Sequence, residues 1–403
     1  MTPTNDVRVA LGPGEQAARV HEIRRVKRPG DGATLGSHDR TSLRITFVCP
    51  PDNPSGGMRV IALYARKLAE RGHKVTVAIP RPSSPTLRQR LSALIRKGVI
   101  VREEKPNPIS FFRETAFDVS WLRRRGRVLN SDVPDADVVI ATWWESLEWV
   151  WSFGAQKGQK LHFMQDYEIW GHPDFTDIPR IDQAYALPIP KIVIAEWERR
   201  LLQTKWQVSP LDVIHNSVDT DVFFADFRDK QGIPTVGFTY STILDKGCSV
   251  VLEAIEIARR KIPNLRVVSF GATLPSEHFP EYVEFHHAVP DAELRSIYET
   301  CDAWLFGTRR EGFGLPILEA MACRTPVIGT PAGAGEDLIG AGGGILVPID
   351  DPASMANAIA TLVEMPSDKW KSVSKVAFDT ATKYSWDDAA DKFENVVLTL
   401  ARH

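Results

Sequence analysis

Two carboxylates frame a glycine-containing loop in the second half of the chain: Glu311-Gly312-Phe313-Gly314-Leu315-Pro316-Ile317-Leu318-Glu319, continuing Ala320-Met321-Ala322-Cys323. Gly312 and Gly314 allow close approach of backbone to a ligand. Pro316 suits the first turn of a helix, where its missing N–H costs nothing. The free amides and positive dipole end of that helix then face the loop, which makes it an anion site. Glu319 falls about one turn into the helix and Glu311 on the far side of the glycines. A diphosphate carrying a hydroxylated group on each side matches this layout, and a nucleotide sugar is such a molecule. The same residues also suit a plain turn with two solvated glutamates, so the surrounding chain has to decide.

The loop needs a strand before it and a helix after it, and the chain supplies that unit repeatedly. Apolar runs at 42–49, 74–79, 137–142, 160–164, 191–195 and 211–215 read as buried strands, with a helical period over 58–71. A polar stretch at 226–232 leads to a second series, with strands at 235–240, 265–270, 283–287, 303–306, 326–329 and 344–347 and helices between them. Strands alternating with crossover helices predict an α/β fold of two Rossmann-like, doubly wound domains facing across a cleft. The expected division is a poorly ordered extension over 1–41, a first domain over 42–225 completed by 386–403, and a second over 226–385. Lys246-Gly247 follows the strand ending at Tyr240, on the same rim as the opening loop, where the lysine can neutralise a diphosphate. Gly56-Gly57 opens the first helix and is open to two readings, anion binding or close strand–helix packing.

Composition narrows the remainder. A length of 403 residues suits two domains, and a net charge of -2 gives no bias toward nucleic acid. There is no long apolar run, no signal-peptide core, and the four scattered cysteines suit reduced thiols, so the expected location is the cytoplasm. The basic stretch 121–127 beside Phe111 and Phe112 suits either a solvated face or contact with the inner face of a membrane. Of the four tryptophans within 143–151, at least two are expected in the core, with Trp144 and Trp151 sharing a helix face; the others could stack on an acceptor sugar. Asp135-Ala136-Asp137 and Asp219-Thr220-Asp221 have the D-x-D form, but one abuts a strand and the other a linker, so no metal site is expected. His286-His287 reads as an ordinary strand end.

From about Ser42 onward the chain resembles the GT-B glycosyltransferases of the retaining family 4 type. Gly56-Gly57-Met58-Arg59-Val60 resembles that family's glycine turn, Asn216-Ser217-Val218-Asp219 its N-G-V-D segment, Lys246-Gly247 its K-G, and Glu311 to Glu319 its E-x7-E motif. The resemblance implies a nucleotide-sugar donor held by the second domain, a glycan or lipid-linked acceptor held by the first, and no cofactor or metal beyond that co-substrate. It implies that Glu319 holds the ribose and Glu311 the transferred sugar. Lys246, with backbone near Gly314 and Leu315, takes the diphosphate; Gly56, Gly57, Gly312 and Phe313 complete the donor site. Two positions depart from the family pattern. Ser241 stands where an arginine is usual, so either charge stabilisation is weaker or Arg309 or Arg310 supplies it from the neighbouring loop. Gln165 stands where many members have a histidine, His162 being inside the strand, so Gln165 and Asp166 join Glu311 and Lys246 as catalytic candidates. Gln165-Asp166-Tyr167-Glu168 resembles rhamnosyltransferase-like members that build bacterial surface polysaccharides, which implies a donor such as dTDP-rhamnose. A nucleotide-sugar epimerase and a catalytically silent sugar-nucleotide or glycan binder remain as alternatives.

Overall fold

Two all-parallel sheets organise the chain, in a computed structural model that describes residues 42–82, 110–113, 115–169 and 177–402. The expected extension over 1–41 lies outside the described residues, as does the stretch 87–97, whose sequence predicts a basic helix. Sheet one contains β1 (Arg44–Val48), β2 (Lys74–Arg81), β3 (Asp118–Arg125), β4 (Val138–Ala141), β5 (Gln159–Phe163), β6 (Lys191–Val193) and β7 (Asp212–Val213). Their order is β3-β2-β1-β4-β5-β6-β7. Sheet two contains β8 (Thr235–Thr239), β9 (Arg266–Gly271), β10 (Val283–His287), β11 (Ala303–Phe306), β12 (Val327–Gly329) and β13 (Gly344–Leu346), in the order β10-β9-β8-β11-β12-β13. The central strands are almost continuous apolar runs, because helices cover both faces of a parallel sheet.

In each sheet the order reverses once, between β1 and β4 and between β8 and β11, which pair directly. Loops leaving neighbouring strands at such a point diverge to opposite faces and open a crevice. The loop after β1 leads into α1 (Gly56–Glu70), and the loop after β4 into α2 (Trp144–Trp151). Those after β8 and β11 carry Lys246 and the Glu311 loop. Gly56 and Gly57 of the first half, and Lys246 and the Glu311 loop of the second, therefore follow strands at the two switch points, while Gln165 and Asp166 follow β5, the neighbour of β4.

One strand escaped the sequence reading. Residues 118–125 form edge strand β3, although the stretch looks like a basic cluster. Of its second half only Leu122 is buried, while Trp121, Arg123, Arg124 and Arg125 are exposed. An edge strand tolerates such charges, and they discourage pairing with another chain. The tryptophan cluster also differs in detail: Trp144 and Trp149 are buried, whereas Trp151 is 46% exposed rather than sharing the buried face of Trp144. All four cysteines are unpaired and buried.

The chain ends in α11 (Trp386–Ala401), whose N-terminus is capped by Ser385 Oγ, accepting from the amides of Asp387 and Asp388. This helix lies against sheet one and α1. Phe393 stacks on Tyr64 at 4.5 Å between ring centres and meets Phe163 edge-on at 5.2 Å. Around that aromatic contact, Lys67 pairs with Asp387 at 2.6 Å and Arg71 with Glu394 at 3.0 Å. Phe393 is fully buried, so Phe393→Ala is expected to cost about 3–5 kcal/mol in chemical denaturation. A loss below about 1 kcal/mol would mean that α11 is not part of that core.

Candidate functional site

The loop between β11 and α7 (Leu315–Ala322) is set by two glycines. Gly314 caps the helix at φ 97°, a left-handed conformation that a side chain would strain. Pro316 sits in the first turn, as expected of a residue without an N–H. Gly312 lies where a Cβ would come within 2.1 Å of the Gln165 carbonyl, so this loop presses directly on the turn after β5. Trp197, on α4 (Glu196–Trp206), fixes the same contact by donating its Nε1–H to the Gly312 carbonyl at 2.8 Å. Phe313 is 3% exposed and packs towards His215, which makes it an anchor for the loop more than an open ligand surface.

Each of the two carboxylates meets a cation. Glu319 is nearly buried on α7; Tyr298 Oη donates to its Oε2 at 2.9 Å and Arg59 Nη1 approaches its Oε1 at 3.4 Å. Burial raises the Glu319 carboxyl above the usual carboxylate range, while Arg59 and Tyr298 oppose the shift. Arg59 Nη2 also pairs with Asp291 Oδ2 at 2.8 Å. Tyr298 and Asp291 both come from α6 (Asp291–Glu299). On the far side of the glycines, Lys246 Nζ pairs with Glu311 Oε2 at 2.5 Å, both groups being partly buried.

The turn after β5 carries the first-lobe candidates. Gln165, Asp166 and Glu168 line the same cleft as Glu311, Glu319, Gly56 and Gly57. Asp166 Oδ1 accepts from the Tyr167 amide at 2.7 Å, and Tyr185 Oη donates to the Asp166 carbonyl at 2.7 Å. Tyr185, on α3 (Ile178–Tyr185), also hydrogen-bonds the Glu168 carboxyl. Burial pushes the Glu168 carboxyl up to about 8, with the nearby Asp166 charge adding to the effect. Glu198, behind this turn, is fully buried; its Oε2 accepts from the Ile194 amide at 2.7 Å, and burial holds it well above the usual range. His162 is packed inside β5 with neither ring nitrogen hydrogen-bonded, and burial keeps it neutral.

The cleft has a volume of about 900 Å³, room for a nucleotide sugar. Ser241 lines it, its Oγ accepting from the Ile243 amide at 3.2 Å. Arg309 does not line it: the guanidinium pairs with Asp350 at 2.6 Å and donates to the Leu244 carbonyl. Arg310 is exposed and also outside the cleft lining. The expectation that either arginine replaces the cation missing at Ser241 is therefore not met by the geometry, because Asp350 and a backbone carbonyl hold Arg309 elsewhere. The D-x-D stretches are engaged locally: Asp135 pairs with Lys157 at 2.9 Å, Asp137 with Arg44 at 2.6 Å, and Asp219 accepts from the Asp221 amide at 3.0 Å. His286 meets Glu284, and His287 the Ala272 carbonyl.

Sequence reasoning did not assign roles to Arg59, Trp197, Glu198, Asp291 or Tyr298. Arg59 carried a signal, its place two residues after Gly57; Trp197 reaches Gly312, Tyr298 reaches Glu319, Asp291 reaches Arg59 and Glu198 supports the Ile194 amide only through the tertiary fold.

Comparison with known proteins follows this architecture. Residues 54–222 match the family described as Glycosyltransferase Family 4, and residues 233–365 match Glycosyl transferases group 1. A D-inositol 3-phosphate glycosyltransferase of Corynebacterium urealyticum is 30% identical over 194 residues, covering 43% of this chain and 46% of that protein. The chain thus spans just under half the length of that relative in the match. Among solved structures, the sucrose-phosphate synthase of Thermosynechococcus elongatus superposes with a TM-score of 0.68 at 17% identity, covering 89% of this chain and 98% of the other. HepE of Anabaena, solved with UDP and glucose, gives 0.67 at 15% identity, covering 89% and 100%. Each lobe is thus matched in turn by a glycosyltransferase family model, and the pair of sheets has the GT-B fold of these structures.

Proposed function

We propose that this protein transfers a sugar from a nucleoside-diphosphate donor, bound between the lobes, to a glycan or lipid-linked glycan acceptor. The observation that carries the reading is the pair of carboxylates, Glu311 and Glu319, on either side of a glycine loop whose helix begins at the cleft, with Lys246 beside the first of them. Glu319 would accept from the ribose hydroxyls and Glu311 from the transferred sugar. Lys246 and the first-turn amides of α7 would hold the diphosphate, and the N-terminus of α1 at Gly56 and Gly57 would face it from the other lobe. Negative charge grows on the diphosphate as the glycosidic bond breaks, and a lysine with helix ends stabilises it in a low-dielectric cleft without calling on a metal. Attack by the acceptor from the face the diphosphate leaves retains the anomeric configuration, with Gln165 and Asp166 beside the reacting carbon.

HepE carries UDP, which makes uridine nucleotides one candidate, while the likeness of Gln165–Glu168 to rhamnosyltransferase-like members favours dTDP-rhamnose and a role in surface polysaccharide synthesis. No helix among the described residues is long and apolar enough to cross a membrane. The exposed basic edge of β3 with Trp121 suits peripheral contact with an anionic inner leaflet, from a cytoplasmic location.

A thermal-shift panel of UDP, GDP, ADP and dTDP tests this reading. The correct nucleotide at about a hundred times its Kd adds about 2.7 kcal/mol, a rise of several degrees. Glu319→Ala is expected to weaken that nucleotide by about tenfold or more, from the loss of a buried carboxylate's hydrogen bonds to hydroxyls. No shift with any of the four, or unchanged binding by Glu319→Ala in calorimetry, would sink the donor-site assignment.

The first-lobe turn generates a pH dependence. Tyr185 has one hydroxyl proton but two partners, the Asp166 carbonyl and the Glu168 carboxyl. Both contacts are satisfied when Glu168 is protonated and donates to Tyr185 while Tyr185 donates to the carbonyl. The raised value of about 8 agrees with that proton at neutral pH. Because the folded state then binds a proton that the unfolded chain releases near about 4.3, the stabilisation is full below that value and is lost as pH rises towards about 8. Glu198 acts in the same direction. Denaturation at pH 5 and pH 8 is expected to show Glu168→Gln losing less stability than wild type across this interval; an equal or greater loss would mean that Glu168 is ionised throughout.

A further inference from the structure

The cleft carries more negative than positive charge. Among the described residues that line it, and leaving aside the protonated Glu168, the carboxyl groups are Asp52, Asp166, Glu311 and Glu319, and the Lys and Arg side chains are Lys246 and Arg59. A diphosphate brings at least two further negative charges, and more as it leaves. Lys246 alone is a poor match for that load, and the arginines of the neighbouring loop do not line the cleft, Arg309 being held by Asp350. Arg59 is the remaining cation, and it belongs to the opposite lobe, in the first turn of α1 behind Gly56 and Gly57. Its guanidinium crosses the cleft to Glu319 at 3.4 Å and to Asp291 at 2.8 Å. The first contact is longer than a good charge-assisted hydrogen bond, so that half of the fork is weakly held.

Each cation of the cleft therefore rests on one of the two carboxylates assigned to donor hydroxyls: Lys246 on Glu311, Arg59 on Glu319. We propose that Arg59 is the second diphosphate-binding residue, stored on Glu319 until the ribose of an incoming nucleotide replaces it there. This rests on the donor-site reading above. The exchange conserves charge: Glu319 trades a guanidinium N–H for ribose O–H donors, and the guanidinium trades a carboxylate for the phosphate nearest the ribose. Asp291, which stays paired with the other arm of the guanidinium, limits how far Arg59 travels. Because Arg59 stands on the first lobe and Glu319 on the second, the exchange makes nucleotide binding depend on both lobes. It also supplies, from across the cleft, the cation that Ser241 does not.

Uridine and UDP separate this role from a merely structural one, with dTDP and thymidine as the pair if the panel selects that base. Calorimetry gives the UDP affinity and saturation-transfer NMR the weak uridine affinity, for wild type, Arg59→Ala, Arg59→Gln and Arg59→Lys. Arg59→Ala and Arg59→Gln are expected to weaken UDP by about tenfold to a hundredfold, the effect of a hydrogen bond to a charged group. Uridine is expected to bind as well as to wild type or more tightly, since Glu319 is released from its competitor, and Arg59→Lys is expected to recover part of the UDP affinity. Equal losses for uridine and UDP would show that Arg59 only positions Glu319, and unchanged UDP binding would show that it meets no phosphate; either result overturns the proposal. If wild type binds none of the nucleoside diphosphates, the donor-site reading itself falls, whatever the variants do.

Discussion

The two carboxylates that frame the glycine loop need cations before any ligand arrives, and two ion pairs supply them: Lys246 with Glu311 and Arg59 with Glu319. A carboxylate as enclosed as Glu319 would cost several kcal/mol if left charged without a partner. Tyr298 and Arg59 meet that need, and they do so with groups that hydroxyls and phosphates can replace. The pairs thus keep the site stable when empty without filling it permanently. The loop between the carboxylates is fixed independently of them, by the left-handed Gly314, the close passage of Gly312 over the Gln165 carbonyl and the Trp197 hydrogen bond.

The fold brings these groups together through one constraint applied twice. A parallel sheet reverses its strand order once, and the loops leaving that point diverge; two such sheets facing each other enclose a cleft lined by loops from both. Lys246 and the Glu311 loop follow β8 and β11, the strands either side of the reversal in sheet two. Gly56 and Gly57 follow β1, the corresponding position in sheet one, and Gln165 follows β5. The chain then returns through α11 to the first sheet, so the first lobe is completed by a helix that follows the whole of the second in sequence.

What could be read in advance was local. Glu311, the glycines, Pro316 and Glu319 lie within nine consecutive residues, so their order along a loop and helix follows from spacing alone. The strands were legible because parallel strands are nearly pure apolar runs, and β3 was not, because an edge strand with Arg123, Arg124 and Arg125 has no such run. Trp197 and Gly312 are 115 positions apart, and Arg59 and Glu319 are 260 apart, so nothing in either neighbourhood announces the contact. Arg309 shows the converse error: proximity in sequence to Glu311 suggested a role in the cleft, but a better partner, Asp350, lies on the other side. Glu168 stood in plain view beside Asp166, yet its protonation depends on enclosure by Tyr185, which comes from a separate helix.

In the proposed function both carboxylate–cation pairs are placeholders for a nucleoside diphosphate. A crystal structure of the protein with UDP, or with dTDP if that base binds, tests it most directly. The ribose hydroxyls are expected on Glu319, the diphosphate between the first turn of α7 and Lys246, and Lys246 Nζ moved from its 2.5 Å contact with Glu311 onto a phosphate oxygen. A nucleotide seated in the cleft with the Lys246–Glu311 and Arg59–Glu319 pairs both intact, or a nucleotide bound away from the loop, would contradict it.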